Sequence, residues 1–234
     1  MSMRVTLLNA DELKQYPPEK IIGEFAAVCY DTDIENVAPE KIAKHCIESG
    51  HGTPQRAVKF IFHIEGVSRA FSHQFVRHNI GVTHNQRSQR FCRESDFPYV
   101  VPISIAYSSC EQEYCELMDQ IGQLYTKMID CKIPAEDARF ILPNACETQL
   151  NSAFDYQALV HFCHERLCSR SQWEIRQVAQ AMVEEVKKVS PFLAQHLVPK
   201  CEADGYCREG KKCCGRKPTK EYVLEIFNKV TKGQ

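Results

Sequence analysis

The alternating run from Val58 to Ile64 constrains the fold of this chain more than any other segment. Apolar residues occupy every second position, and the opposite face carries Lys59, His63 and then Glu65. This period-two pattern predicts a half-buried β-strand, which we expect to end at Gly66. A strand that buries one face needs a layer packed against it, so the neighbouring segments must supply that layer.

Apolar residues at helical spacing lie on both sides of this strand. The predicted helices cover 18–30, 39–49, 68–76, 111–130, 154–168, a segment from Pro134 and a segment opened by a Ser171–Glu174 capping box. The apolar stripe of 111–130 is expected to face the core. The amino-terminal residues predict a further strand, 50–54 interrupt the helical pattern, and 80–90 are polar enough for an irregular loop. We therefore predict one α/β or α+β domain with a modest β-sheet flanked by helices.

Composition excludes several classes of protein. The chain has 234 residues, of which 44% are hydrophobic, and a net charge of −1. These values indicate a globular protein that is not a general nucleic-acid binder. No apolar run reaches the roughly 20 residues of a membrane span, so we expect no membrane partner. The odd number of cysteines, 13, favours free thiols and a cytoplasmic location over a disulfide framework.

The composition changes after Pro199 to glycine, cysteine and basic residues, which suggests a domain at 1–199 and a tail at 200–234. The tail should close with a short amphipathic helix over Lys220–Val230. Its clustered cysteines are Cys201, Cys207, Cys213 and Cys214. Their spacing is not that of a zinc site, so a redox-sensitive cluster, a non-standard metal site and free thiols all remain open.

The segment from Ser72 to Arg90 is the richest in potential chemistry. It holds three arginines and three histidines, and it contains neither a carboxylate nor a lysine. Guanidinium forks combined with neutral donors suit a phosphate or a planar anionic ring. The segment therefore predicts a bound anion. Two further arginines, Arg139 and Arg166, lie in core-like helices and either pair with a nearby acid or converge on the same ligand.

Other chemistries fit less well. Neither phosphate-binding glycine motif is present, and Ser88 has no nucleophile elbow. His161 and His164 have metal-ligand spacing, but no third ligand accompanies them, so we predict no metal.

Four linked motifs resemble those of the flavin-dependent thymidylate synthase family. The first joins Arg77-His78 to Ser88-Gln-Arg90, in the manner of the family's Arg-His-Arg, spacer and Ser-x-Arg. The other three are His51-Gly-Thr53-Pro, Ala138-Arg139-Phe-Ile-Leu-Pro143, and Arg166 followed by Ser171-Gln-Trp-Glu-Ile-Arg176. Their order and spacing hold from about residue 50 to residue 191.

The resemblance implies an α/β homotetramer whose active sites are shared between subunits. It implies reductive methylation of dUMP to dTMP, with methylenetetrahydrofolate as the one-carbon donor, FAD as cofactor and NADPH as reductant. Arg166 would be the catalytic residue, on the pyrimidine. The other nucleotide-binding residues would be Gln74, Gln86, Arg87, Ser88, Gln89, Arg90 and Arg139. The flavin and folate region would be lined by His51, Thr53, Arg77, His78, Asn79, Ile80, Asp155, Gln157 and His161.

Several positions depart from the family pattern. Asn79 stands where the family has arginine, and eight residues rather than seven separate it from Ser88. Asp155, Gln157 and His161 stand where members often have Asn, Arg and Asn. Two alternatives therefore remain beside dTMP synthesis. One is a relative that alkylates another uracil nucleotide, and the other is a nucleotide-binding protein with degraded flavin chemistry.

Overall fold

The computed structural model describes residues 3–33 and 37–232. Its centre is one antiparallel sheet in the order β1-β2-β4-β3. The strands are β1 (Arg4–Leu7), β2 (Lys59–Ser68), β3 (Val82–Gln86) and β4 (Glu147–Asp155). The strand predicted from the alternating run is confirmed, since Phe60, Phe62 and Ile64 are all fully buried.

Helices join and follow these strands. They are α1 (Ala10–Gln15), α2 (Pro18–Ala27), α3 (Pro39–Glu48), α4 (Gly52–Gln55), α5 (Arg69–Phe75), α6 (Ile103–Ala106), α7 (Glu111–Asp130), α8 (Ala135–Ala138), α9 (Tyr156–Arg166), α10 (Trp173–Lys187), α11 (Pro191–Ala194), α12 (Lys200–Asp204) and α13 (Lys220–Lys232). Helix α10 packs across β1 and β2, and α5 and α9 contact it from the side of the sheet that carries β4. The predicted mixed fold with a modest sheet is confirmed.

Glycine was expected to end β2, but the strand continues through Gly66 to Ser68. A register shift between Ile64 and Val67 marks a β-bulge against β4, and Gly66 has a φ of +67°. A residue without a side chain takes this left-handed conformation at little cost, so the glycine bends the strand instead of ending it. The bend carries the chain directly into α5.

The prediction of an irregular loop over 80–90 is wrong in its middle. Val82–Gln86 pairs with β4 as an edge strand, with Asn85 opposite Asn151. The alternation is present, because Val82, His84 and Gln86 are half-buried while the residues between them are exposed. Most of the half-buried residues of β3 are polar, so a search for alternating apolar residues does not find this strand.

Two helix predictions need smaller corrections. Helix α10 is capped by Gln172, whose Oε1 accepts from the backbone N–H groups of Glu174 and Ile175, rather than by a Ser171 capping box. On α7, Met118 is buried, but Leu117 and Leu124 remain about half exposed, so the predicted stripe faces the core only in part.

The tail follows α11 and returns to the end of α9, against which α12 packs. Arg170 Nε lies 3.0 Å from Glu209 Oε2, which joins the loop after α9 to the tail. The predicted closing helix is confirmed as α13. None of the helices within 3–33 and 37–232 has the length and apolar character needed to cross a bilayer.

Candidate functional site

The start of α5 is fixed by a buried acid from a distant part of the chain. Ser68 caps the helix, since its Oγ accepts from the Phe71 N–H at 3.0 Å. The same hydroxyl donates to Glu174 Oε2 at 2.6 Å, and the Ser68 N–H donates to Glu174 Oε1 at 2.7 Å. These bonds join the β2–α5 corner to the first turn of α10. They set the position of α5, which carries Gln74 near its end.

Arg166, the predicted catalytic residue, is held by an imidazole. Its Nε donates to His78 Nε2 at 2.9 Å. The sequence left open whether this arginine pairs with a nearby acid or reaches a ligand, and the structure gives it a neutral partner, His78. Arg166 forms no ion pair, and its two terminal nitrogens donate to no other residue, within the ranges that the structure describes. Its two-pronged end is therefore free to bind a ligand.

A second histidine supports the backbone of the first. His84 Nε2 lies 2.8 Å from the His78 carbonyl oxygen, so this nitrogen must carry the proton. His84 Nδ1, 2.8 Å from Ser152 Oγ, then accepts from that hydroxyl. This tautomer follows from the hydrogen-bond partners. The network ties the turn after α5 to strands β3 and β4.

His78 is a neutral imidazole at physiological pH. Burial, and then the neighbouring charge of Arg166, lower its pKa to about 4 from its usual 6.5. A neutral ring is also what the contact requires, because Nε2 must offer a lone pair to the Arg166 N–H. His161 packs edge-on against this ring, with centroids 6.2 Å apart.

The arginines of the segment that follows β3 meet acids. Arg87 Nε lies 3.2 Å from Oε1 of the buried Glu94. Burial raises the pKa of Glu94, and Arg87 opposes that rise. Glu94 lies outside the carboxylate-free stretch from Ser72 to Arg90. The charge of Arg87 is therefore balanced by an acid from beyond that stretch.

Glu136 connects two other predicted nucleotide residues. Arg90 Nε lies 2.6 Å from its Oε2 atom, and Arg139 Nε donates to its backbone carbonyl at 3.0 Å. Arg139 was expected either to pair with a nearby acid or to reach the ligand, and its Nε instead donates to this backbone carbonyl. Arg90 and Arg139 are thereby brought together, as the motifs suggested.

The neutral residues of this region hold the local backbone. Gln86 Nε2 donates to Ser72 Oγ at 2.8 Å and to Thr148 Oγ1 at 3.1 Å. Ser88 Oγ accepts from the Arg90 N–H at 3.2 Å, which forms a tight polar turn. Gln89 Nε2 lies 3.5 Å from the Cys146 sulfur. No histidine or lysine is hydrogen-bonded to Ser88 among the described residues.

The residues predicted for the flavin and folate region are mostly exposed. They are His51, Thr53, Arg77, Asn79, Ile80, Gln157 and His161. Arg77 Nη2 lies 3.2 Å from His73 Nε2 and pairs with no carboxylate in the described ranges. Gln157 lies so close to Gly52 that a Cβ at that glycine would come within 2.2 Å of its amide nitrogen. These contacts bring the His51 turn to the start of α9.

Asp155 differs from the rest of that set because it is buried and structural. Its Oδ1 atom caps α9 by accepting from the Ala158 N–H at 2.7 Å, and its Oδ2 atom lies 3.6 Å from Lys59 Nζ. Helix capping explains an acid at this position without a ligand.

The predicted site residues therefore form two groups in one chain. The Arg166 group consists of Arg166, His78 and Gln74, and a cavity of about 550 Å³ is lined by Arg166 and Gln74. The loop group consists of Arg87, Ser88, Gln89, Arg90 and Arg139, none of which lines that cavity. Sequence reasoning missed Glu94, Glu136, His84 and Glu174, because nothing in a lone carboxylate or histidine marks which arginine or backbone group it will meet.

Comparison with known proteins adds independent information. Residues 12–192 match the sequence model of the family described as thymidylate synthase complementing protein. A flavin-dependent thymidylate synthase of Nitratidesulfovibrio vulgaris is 42% identical over 185 residues, which cover 75% of each chain. Proteins of the same name from Clostridium tetani and Geobacter sulfurreducens are 35% and 37% identical, over 85% of this chain and 89% and 90% of theirs.

Proposed function

The chain belongs to the flavin-dependent thymidylate synthase family, and from this membership we propose that it converts dUMP to dTMP by reductive methylation. Methylenetetrahydrofolate would donate the carbon unit and NADPH would be the reductant. The names of the relatives favour this reaction over the two alternatives that the sequence left open.

The observation that carries the proposal is the state of Arg166. Arg166 Nε donates to a neutral His78, and the two terminal nitrogens of Arg166 donate to no other described residue. A fixed planar cation of this kind stabilises negative charge that develops on a pyrimidine ring when carbon 5 acts as the nucleophile toward the one-carbon unit. His78 would orient the guanidinium without cancelling its charge, as a carboxylate would.

The loop group would bind the nucleotide phosphate. Arg90 and Arg139 are near each other at Glu136, and Ser88 offers a hydroxyl beside them. Since this group does not line the cavity at Arg166, one nucleotide would be bound by the loop group of one copy and the Arg166 group of another. This division supports the homotetramer with shared sites that the resemblance implies.

The exposed residues around α4 and the turn after α5 fit FAD in their donor chemistry. Arg77 carries a guanidinium without a carboxylate partner among the described residues, which suits a pyrophosphate. Asn79, Gln157 and His161 add neutral donors and acceptors. When bound there, FAD would carry electrons from NADPH to the one-carbon unit. Asp155, committed to capping α9 and to Lys59, is the member of the predicted set that we remove from this role.

All thirteen cysteines are unpaired thiols. This supports a reducing compartment, which we propose to be the cytoplasm.

The test is a spectrum followed by a product analysis. The purified protein, supplied with FAD, should show a flavin absorbance band that bleaches on anaerobic addition of NADPH. With methylenetetrahydrofolate present, mass spectrometry should then find dTMP from dUMP and no methylated product from UMP or dCMP. A protein that stays colourless with added FAD, or that methylates UMP in preference to dUMP, would contradict the proposal.

A further inference from the structure

The tail and the Arg166 group share a cavity, which we name the tail cavity. It has a volume of about 550 Å³ and is lined by Gln74 and Arg166, by tail residues between Pro199 and Arg216, and by the loop after α9. A ligand bound in the proposed active site at Arg166 would therefore have room to extend under the tail.

The lining of the tail cavity is strongly cationic. Among the described residues that line it, the carboxylates are Glu165 and Glu209, whereas there are six cations. The cations are Arg166, Arg170, Lys200, Arg208, Lys212 and Arg216. Such an excess inside a concave surface concentrates anions.

Besides Arg166, two of these cations form no ion pair among the described residues. Arg208 is not one of them, because its Nε lies 2.8 Å from Asp204 Oδ2. Arg170 pairs with Glu209, and Arg216 Nη1 lies 3.4 Å from Glu202 Oε1, so these arginines also hold the tail in place. Lys200 and Lys212 form no ion pair in the part of the chain that the structure describes. Lys200 is half-buried and, after burial itself, is the main cause that lowers the pKa of His164. Partial burial of an ammonium group without an anionic partner is unfavourable in free energy, and a bound anion would offset that desolvation penalty.

The shape and composition restrict the class of anion. No phenylalanine, tyrosine or tryptophan of the described ranges lines the cavity, so it offers no broad aromatic surface for a stacked base or pterin ring. Several lysines and arginines around one cavity suit several separate anionic groups along a flexible chain.

We propose that the tail cavity binds the oligoanionic end of a co-substrate, as carboxylates or phosphates, while the reactive part of that molecule lies at the active site. The inference rests on the proposed function for the identity of the co-substrates. It leaves two sources of the anion. Carboxylates would come from an oligo-γ-glutamyl extension of the folate, and a phosphate would come from the 2′ position of NADPH.

The first test measures KM ratios in the complete enzyme. Wild type is compared with the double variant Lys200→Gln/Lys212→Gln and with the control Lys211→Gln, an adjacent tail lysine that does not line the cavity. In the double variant we expect one of two KM ratios to fall about five-fold. The first is the preference for pentaglutamyl over monoglutamyl methylenetetrahydrofolate, and the second is the preference for NADPH over NADH. Five-fold is the effect expected from the loss of two solvent-screened ion pairs. The control should keep both ratios. The ratio that falls identifies the source, and a double variant that retains both ratios overturns the proposal.

The second test does not depend on catalysis, so it separates this proposal from the proposed function. Cys214 lines the same cavity and is exposed, and a hydrogen bond with Ser169 lowers its pKa, which favours alkylation. Tetrahydrofolate pentaglutamate or NADPH should slow the labelling of Cys214 by iodoacetamide about five-fold in wild type and not in the double variant. Unchanged labelling with both probes would overturn the proposal even if dTMP is formed.

Discussion

Arg166 and Arg90 belong to the same predicted site, yet their charges are balanced in different ways. Arg166, which lines the cavity, meets the neutral ring of His78, so no carboxylate offsets its charge among the described residues. Arg90 meets the carboxylate of Glu136 in an ion pair that is about half exposed. The first arginine is arranged for a ligand that develops charge during the reaction. The second must exchange one anion for another when a phosphate arrives.

This difference changes what each arginine can contribute. An ion pair near the surface is worth little in stability, so Glu136 can give up Arg90 to a phosphate at low cost. The Arg166–His78 contact is partly buried and has no competing anion. We therefore expect substitutions at Arg166 to act on the chemical step and those in the loop group to act on nucleotide affinity.

The largest effect should come from Arg166→Lys. A lysine cannot donate to His78 and present two parallel N–H groups to a pyrimidine at the same time. We expect the fold and FAD binding to survive and dTMP formation to fall by about a hundred-fold, the scale of losing a charge-stabilising donor. Stopped-flow flavin reduction by NADPH, measured beside dTMP formation, distinguishes the two steps. Arg4→Lys, at the exposed edge of β1, is the control, and normal dTMP formation in Arg166→Lys would refute the assignment.

Arg90→Ala should come next. We expect dUMP binding to weaken by about 1.5–3 kcal/mol, the range for a hydrogen bond to a charged group. Isothermal calorimetry on the folded variant gives the value directly. Unchanged affinity would show that the Arg90–Glu136 pair is only structural.

A companion variant sharpens the contrast between the two arginines. Glu136→Gln removes the competing anion but keeps the backbone carbonyl that Arg139 uses. It should tighten dUMP binding by about 0.5–1 kcal/mol, since the exchange no longer breaks an ion pair. Weaker binding in this variant would mean that Glu136 positions Arg90 instead of competing for it.

Ser88→Ala should have a smaller effect. Ser88 Oγ accepts from the Arg90 N–H, and no base is hydrogen-bonded to it among the described residues. The variant should retain turnover, with the KM for dUMP raised about five-fold, as expected for one lost hydrogen bond. Complete loss of turnover with normal dUMP affinity would instead identify Ser88 as a covalent nucleophile.

The smallest effect concerns acid stability. Because the pKa of His78 is lowered to about 4, the unfolded chain takes up a proton between pH 6.5 and about 4 that the native state excludes. Native stability must therefore fall as the pH falls through this window. His78→Gln keeps an acceptor for Arg166 and removes the contribution of this imidazole to the pH dependence of stability. The Tm of the variant should therefore drop less than the Tm of wild type between pH 7 and pH 5. His63→Gln, on the other face of β2, is the control, and equal drops in all three proteins would rule out His78 as a source.

The sequence predicted the elements whose apolar residues repeat regularly. β2, α2, α3 and most of α7 followed from periodicity because burial on one face selects apolar side chains. β3 did not, since an edge strand with His84 and Gln86 turned inward satisfies its buried positions with hydrogen bonds. Gly66 was taken as an end because glycine favours turns, but a bulge uses the same conformational freedom to continue a strand.

The same division applies to the candidate site. The motifs placed Arg90 and Arg139 near one ligand, and the structure brings both to Glu136. The charge pattern of the segment predicted a bound anion but not which acids its arginines meet: Glu94 lies just beyond the segment, and Glu136 comes from a distant part of the chain. The pair between Arg90 and Glu136 depends on tertiary packing, which residue order alone does not contain.

The bond between Ser68 and Glu174 also has a consequence for how the chain folds. The two residues are 106 positions apart, and each bond to the acid needs β2, α5 and α10 already in place. Closing so long a loop costs entropy before any contact compensates for it, so this corner should form late. Arg166 and Gln172 lie just before α10, and Gln74 and His78 lie at the end of α5 and just after it. A nascent chain would thus acquire its helices early, and it would be unable to bind nucleotide until this and the other long-range contacts between these elements had formed.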